Sequence, residues 1–101
     1  MTLYINTENK SLISVTLKNG DQVIDTLSDE NKFGSQALLP LILRVLKKNK
    51  LEFSDLKGIE VSTGPGSFTG IKVGVSVANA LGYSLGIPVN GKDMELDIKY
   101  E

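Results

Sequence analysis

The run Ser62-Thr63-Gly64-Pro65-Gly66-Ser67-Phe68-Thr69-Gly70-Ile71-Lys72-Val73-Gly74 is where residue types and spacing come closest to chemistry. A strand-like stretch, Ile59 and Val61, flows into a glycine loop, and a helix of small residues follows. Such a layout leaves backbone N–H groups free at the mouth of a helix, which is how many proteins hold a phosphate. Gly64, Gly66, Ser67 and Thr69 would form that nucleotide-binding loop. Other features of the string oppose it. The Gly-Lys-Ser/Thr ending of a Walker A loop is absent, and Lys72 falls inside the helix instead of at its mouth. Ser67 does not stand in the Gly-x-Ser-x-Gly spacing of a nucleophile elbow.

Two absences narrow the chemistry further. The 101 residues include no Cys and no His. A thiol nucleophile, a disulfide, imidazole acid–base catalysis and a His-held metal are therefore excluded from this chain. Any catalysis would rest on carboxylates, Lys or a bound cofactor, and no residue is assigned a catalytic or metal-binding role. The net charge of −1 lacks the basic excess of a protein that binds nucleic acid alone. Direct binding of nucleic acid by this chain alone is thus not expected. No apolar run is long enough to span a membrane, and the first residues lack the pattern of a signal peptide. The expectation is a cytoplasmic chain without a membrane partner.

The elements that must position the loop can be read from periodicity. Leu3, Tyr4 and Ile5 open a short strand. Ser11 to Lys18 alternates as a second strand, and Asn19-Gly20 signals a hairpin into a third, Asp21 to Leu27. Ser35 is the expected N-cap of a helix running to about Lys50, with Pro40 near its start as a source of a kink. Ile59 to Val61 reads as a fourth strand. Phe68 to Leu85 reads as a second helix, stopped by Gly86 and Pro88. Val89 would begin a fifth strand. A three-strand antiparallel meander followed by helix, strand, helix and strand implies an α/β fold with a mixed sheet. It is the element order of a single ribonuclease H-like, actin-like lobe, expected over residues 1–90. Residues 91–101 form a C-terminal extension in which Met94 to Glu101 alternates apolar and polar, the pattern of an added half-buried strand.

Both helices carry more than one sheet face needs. The apolar residues of the first cover an arc of roughly 200°, against the stripe of about 100° that packing on a sheet requires. Leu39, Ile42, Leu43 and Leu46 are the expected excess. On the second helix Gly70, Gly74, Ala78, Gly82 and Gly86 recur every fourth residue. Interior glycines cost about 1 kcal/mol each against Ala, so bulk is evidently not tolerated along this ridge. Close packing on the chain's own sheet accounts for that, and so does a groove for a neighbouring helix. The second is the sharper reading. It assigns Gly70, Gly74, Ala78 and Gly82 to a partner interface, flanked by Lys72, Val75, Ser76 and Asn79.

The full string from Thr63 to Gly74 resembles the signature of the bacterial TsaB proteins. Leu38-Leu39-Pro40-Leu41-Ile42, Phe53-Ser54-Asp55-Leu56 and Leu85-Gly86-Ile87-Pro88-Val89 are similar to the segments that flank it in that family. The resemblance runs from about Leu3 to Val89 and so covers one lobe of a two-lobed actin-like fold. It implies a non-catalytic accessory subunit in the making of threonylcarbamoyladenosine on tRNA. Such a subunit pairs through its two helices with a TsaD-type transferase, and a TsaE-type ATPase joins the complex. A homodimer is implied when the partner is absent. No cofactor is implied, except ATP or ADP held at a partner interface. Asn6 stands where family members often carry Asp, which removes a charge that a magnesium site would use. Lys72 stands where Arg is common, so a forked two-bond contact does not carry over. The rival readings are a nucleotide-binding domain using the Gly64–Gly70 loop, and a peptidase, which the lack of His disfavours.

Overall fold

The computed structural model describes residues 1–30 and 36–93 of the chain. Four strands and two helices follow one another as β1 (Thr2–Asn6), β2 (Leu12–Asn19), β3 (Gln22–Glu30), α1 (Leu38–Lys48), β4 (Gly58–Val61) and α2 (Phe68–Leu85). A single 3₁₀ turn, Phe53–Asp55, lies between α1 and β4. The sheet order is β3-β2-β1-β4. The first three strands pair antiparallel, and β4 joins β1 in parallel. This is the expected mixed sheet, built from a meander and one helical crossover.

The alternation in the strands decides which face is covered. Leu3, Ile5, Ile13, Val15, Leu17, Ile59 and Val61 are all buried. Both helices cover this face, α1 over β2 and β3, α2 over β4 and β1. Leu38, Leu41, Ile42, Val45 and Leu46 from α1 and Ile71, Val75 and Ala78 from α2 complete the core. The opposite face carries Tyr4, Ser14, Thr16, Lys18 and Glu60. There Lys18 lies over the Tyr4 ring, 5.1 Å from its centroid, and reaches Glu60 at 3.6 Å. Thr16 and Thr26 share a 3.0 Å hydroxyl hydrogen bond on the same face.

The element ends depart from expectation by one to three residues. Asn19 still pairs with Gln22, so the hairpin loop is Gly20–Asp21, with Gly20 at φ +62°. Gly at the first of two loop residues suits the twist of the hairpin. β3 runs on to Glu30, and a bulge between Leu17 and Lys18 re-aims its start. Helix α1 begins at Leu38 with Ala37 as its N-cap. Ser35, the expected cap, lies outside the described residues. Pro40 falls in the first turn, where its missing N–H has no acceptor due. Helix α2 has the expected bounds, with Ser67 as N-cap and Gly86 at φ +68° as C-cap.

The fifth strand contracts to a single residue. Val89 bridges Ile59 in parallel and then pairs back with Lys92, because Asn90 and Gly91 adopt φ of +53° and +76° and turn the chain. The Asn90 side chain stands in for the missing strand. Its Oδ1 accepts from the Val61 N–H at 2.8 Å, and its Nδ2 donates to the Val61 carbonyl at 3.1 Å. The added strand expected from Met94 to Glu101 lies outside the described residues.

Candidate functional site

Parallel pairing of β1 with β4 brings the carboxyl ends of the two strands side by side. The turn after β1 therefore meets the glycine loop after β4. The Ser67 N–H donates to the Glu8 carbonyl at 2.8 Å, and the Ser62 hydroxyl donates to the Glu8 carboxylate. The Thr7 hydroxyl, buried, donates to the Gly70 carbonyl at 2.6 Å. The Glu8 N–H is itself held by Asn6 Oδ1 at 3.1 Å. Asn6 thus serves the turn that presents Thr7 and Glu8.

These contacts explain the glycines. A Cβ on Gly66 would lie 2.6 Å from Glu8 Cβ. On Gly70 it would lie 2.1 Å from the Thr7 carbonyl oxygen, and on Gly74 2.2 Å from Thr7 Oγ1. On Gly82 it would lie 2.5 Å from Val89 Cγ2. The small-residue ridge of α2 is consequently filled from inside the molecule, by the end of β1 and by Val89. Gly70, Gly74, Ala78 and Gly82, assigned from the sequence to a groove for a partner, are buried against the chain's own sheet. The physical reason is the crossing of α2 over β1 and β4, which the glycine spacing alone does not reveal.

The same contacts bear on the loop as a phosphate cradle. Of its N–H groups, that of Ser67 is taken by Glu8 and that of Gly70 by the Ser67 hydroxyl at 3.4 Å. The Glu8 carboxylate adds a negative charge against Ser62, which opposes an anion there. Thr69 is exposed, and a cavity of about 230 Å³ beside it is lined by Thr7, Lys10, Ile13, Ser67, Gly70 and Val73. Gly64, in the left-handed region at φ +105°, makes the turn that Gly66 continues.

The outward surfaces of the helices differ from expectation in detail. Ile42 and Leu46, expected at an interface, are 0% and 2% exposed, and Val75 is 5% exposed. All three point into the core, because they fall on the arc of each helix that meets the sheet. Leu39 and Leu43, one turn apart on α1, remain exposed at 44% and 48%. On α2, Lys72 and Ser76 are exposed and Asn79 is half-buried, one helical turn after another. Tyr83, which the sequence reading passed over, continues that stripe at 87% exposure. Its i+4 spacing from Asn79 was the available signal. The structure thus leaves apolar Leu39 and Leu43 and the line Lys72–Ser76–Asn79–Tyr83 facing outward.

At the end of α1 the chain closes on itself through polar contacts. Asn49 Nδ2 donates to Asp25 Oδ2 at 2.9 Å and to the Val45 carbonyl at 2.7 Å, and Lys48 Nζ sits 3.2 Å from Asp25. The Asn49 amide and the Lys48 ammonium hold the Asp25 carboxyl below its ordinary range.

Residues 29–91 match the family model described as TsaD: tRNA N6-adenosine threonylcarbamoyltransferase. The chain belongs to the TsaD family. Within it the similarity is to TsaB and YeaZ proteins. The chain is 37% identical over 70 residues to the tRNA threonylcarbamoyladenosine biosynthesis protein TsaB of Buchnera aphidicola from Acyrthosiphon pisum, covering 68% of this chain and 32% of that protein. It is 32% identical over 88 residues to the TsaB protein of Bacillus subtilis, covering 87% of this chain and 38% of that one. The structure of YeaZ from Pseudomonas aeruginosa superposes with a TM-score of 0.77 at 26% identity, over 87% of this chain and 40% of that chain. The described residues thus form a TsaB/YeaZ-type α/β lobe, and the chain spans well under half the length of these relatives. Among the described residues no helix is long and apolar enough to cross a membrane.

Proposed function

We propose that this TsaD-family lobe is an accessory subunit in the formation of threonylcarbamoyladenosine on tRNA, and that it docks onto a TsaD-type transferase through the outer faces of α1 and α2. The TsaB relatives support the process. The observation that carries the docking is the exposed pair Leu39 and Leu43, two large apolar side chains a turn apart on a helix whose other apolar residues are buried. The chain holds neither His nor Cys, and on this reading its part is to bind and shape the partner. Lys72, Ser76, Asn79 and Tyr83 on α2 would provide a polar flank to that contact. A TsaE-type ATPase would meet the assembly through the transferase, and two copies of this chain would pair through the helices in its absence. ATP or ADP would enter only where a partner completes the site.

The test is titration calorimetry of the chain against the TsaD-type transferase of the same organism. The wild type binds, and Leu43→Glu weakens binding at least about tenfold, since a charge replaces an apolar contact at the interface. Binding unchanged by Leu43→Glu would refute the assigned surface. Val75 is unsuitable for this purpose: a charge there would unfold the core rather than probe the docking face.

A further inference from the structure

The C-terminal end of α1 overhangs an open groove lined by Leu43, Leu46, Leu51 and Phe53, with Lys47 and Lys50 among its polar lining. Glu52 and Ser54 complete the lining. The volume of about 870 Å³ accommodates several side chains. Two observations set it apart from an incidental dent.

The first is the pattern of charge. Two cations of α1 are answered from within the molecule: Arg44 by Asp29 at 3.4 Å and Lys48 by Asp25 at 3.2 Å. Lys47 and Lys50 are exposed and make no ion pair among the described residues, Glu52 included. The unanswered charges are the ones beside the groove. The second is backbone conformation. Lys50 occupies the left-handed region at φ +57°, a place just past a helix that Gly or Asn fills with less strain. The helix dipole favours Lys47 in the last turn, but it gives no reason for a Lys beyond it.

The geometry points to a docking groove for an acidic amphipathic helix: an aliphatic or aromatic side chain seats between Leu43 and Phe53 while neighbouring carboxylates meet Lys47 and Lys50. The groove shares Leu43 with the face that carries the proposed docking. The inference therefore rests on that reading, and it adds the chemistry of the partner helix that the transferase would present.

The experiment uses the same calorimetry with three forms of the full chain: wild type, Leu43→Glu and the double variant Lys47→Glu/Lys50→Glu. Each is measured against the transferase at about 50 mM and about 300 mM salt, conditions that bracket strong and weak screening. Both lysines are exposed, so the double variant keeps its circular dichroism and loses only a few degrees of melting temperature, the cost of a negative charge at the end of α1. It is expected to bind at least about tenfold more weakly at low salt, and the gap should narrow at high salt, as rim charges that steer and register a partner do. Should the double variant bind like wild type at both salt levels while Leu43→Glu does not bind, the acidic-helix proposal is overturned and the docking reading stands. Should the wild type itself fail to bind the transferase, both are overturned.

Discussion

Replacing Gly70 by Ala in the isolated chain separates two accounts of the α2 ridge by the sign of a stability change. Were the ridge an open groove, Ala in this first turn of α2 would stabilise the chain by up to about 1 kcal/mol, the difference in helix propensity. The structure demands the opposite. The added Cβ would lie 2.1 Å from the Thr7 carbonyl oxygen, a main-chain atom just past the end of β1 in the turn pinned by Asn6 Oδ1 and by the Ser67 N–H. Relief needs a movement of roughly an ångström in either α2 or the end of β1, and interiors packed to crystal density resist that. Overpacking of this kind costs about 1–3 kcal/mol. The same movement stretches the 2.6 Å bond from Thr7 to the Gly70 carbonyl, worth about 1 kcal/mol. Against the propensity gain, the net expectation is a loss of about 1–3 kcal/mol, which lowers the melting temperature by about 4–24 °C for a domain of this size. Urea unfolding followed by circular dichroism gives the value. Gly74→Ala, whose Cβ would lie 2.2 Å from the buried, hydrogen-bonded Thr7 hydroxyl, should lose stability as well. A Gly70→Ala chain more stable than wild type would refute the inward-facing ridge.

The remaining predictions concern polar contacts. Asn90→Asp places a carboxylate oxygen against the Val61 carbonyl that Asn90 Nδ2 now serves, and should cost about 1–3 kcal/mol at neutral pH. A protonated carboxyl regains a donor, so its deficit against wild type should shrink in acid; a deficit independent of pH would argue against the paired amide. Asp25 has its carboxyl held below the ordinary value of 3.8 by the Asn49 amide and by Lys48. A lowered folded value means stability present above pH 3.8 and lost as pH falls through the folded value. Asp25→Asn should therefore be less stable than wild type near neutrality, with the difference fading below about pH 3.8 in urea midpoints. A constant difference down to acid would remove the linkage.

Much of this lobe was legible in residue order. The alternation of Ser11 to Lys18 and the run from Phe68 to Leu85 between a serine cap and Gly86 declared β2 and α2 almost to the residue. Strand, loop and helix types are local properties, written in spacing and punctuation. What failed was orientation. Ile42, Leu46 and Val75 sit on the apolar arcs of their helices, but a sequence does not say which part of a wide arc meets the sheet. The meaning of Gly70 and Gly74 depends on Thr7, more than sixty positions upstream, and becomes readable only when β4 is placed beside β1 in parallel. That step was available from the meander followed by a crossover, because such a connection sets two strand ends next to each other. The contraction of the fifth strand turned on Asn90-Gly91, a hairpin dipeptide of the same kind as Asn19-Gly20 that passed unweighed.

The outer side of β4 has its backbone groups occupied at Ile59 by Pro88 and Asn90, and at Val61 by the amide of Asn90. Among the described residues β3 alone lies at an uncovered margin of the sheet. A ribbon that lengthens by adding molecule to molecule must offer two such margins, whereas this lobe offers one. Copies that met along β3 would exhaust it at two, so sedimentation of concentrated chain should show pairs and no higher polymer by that route.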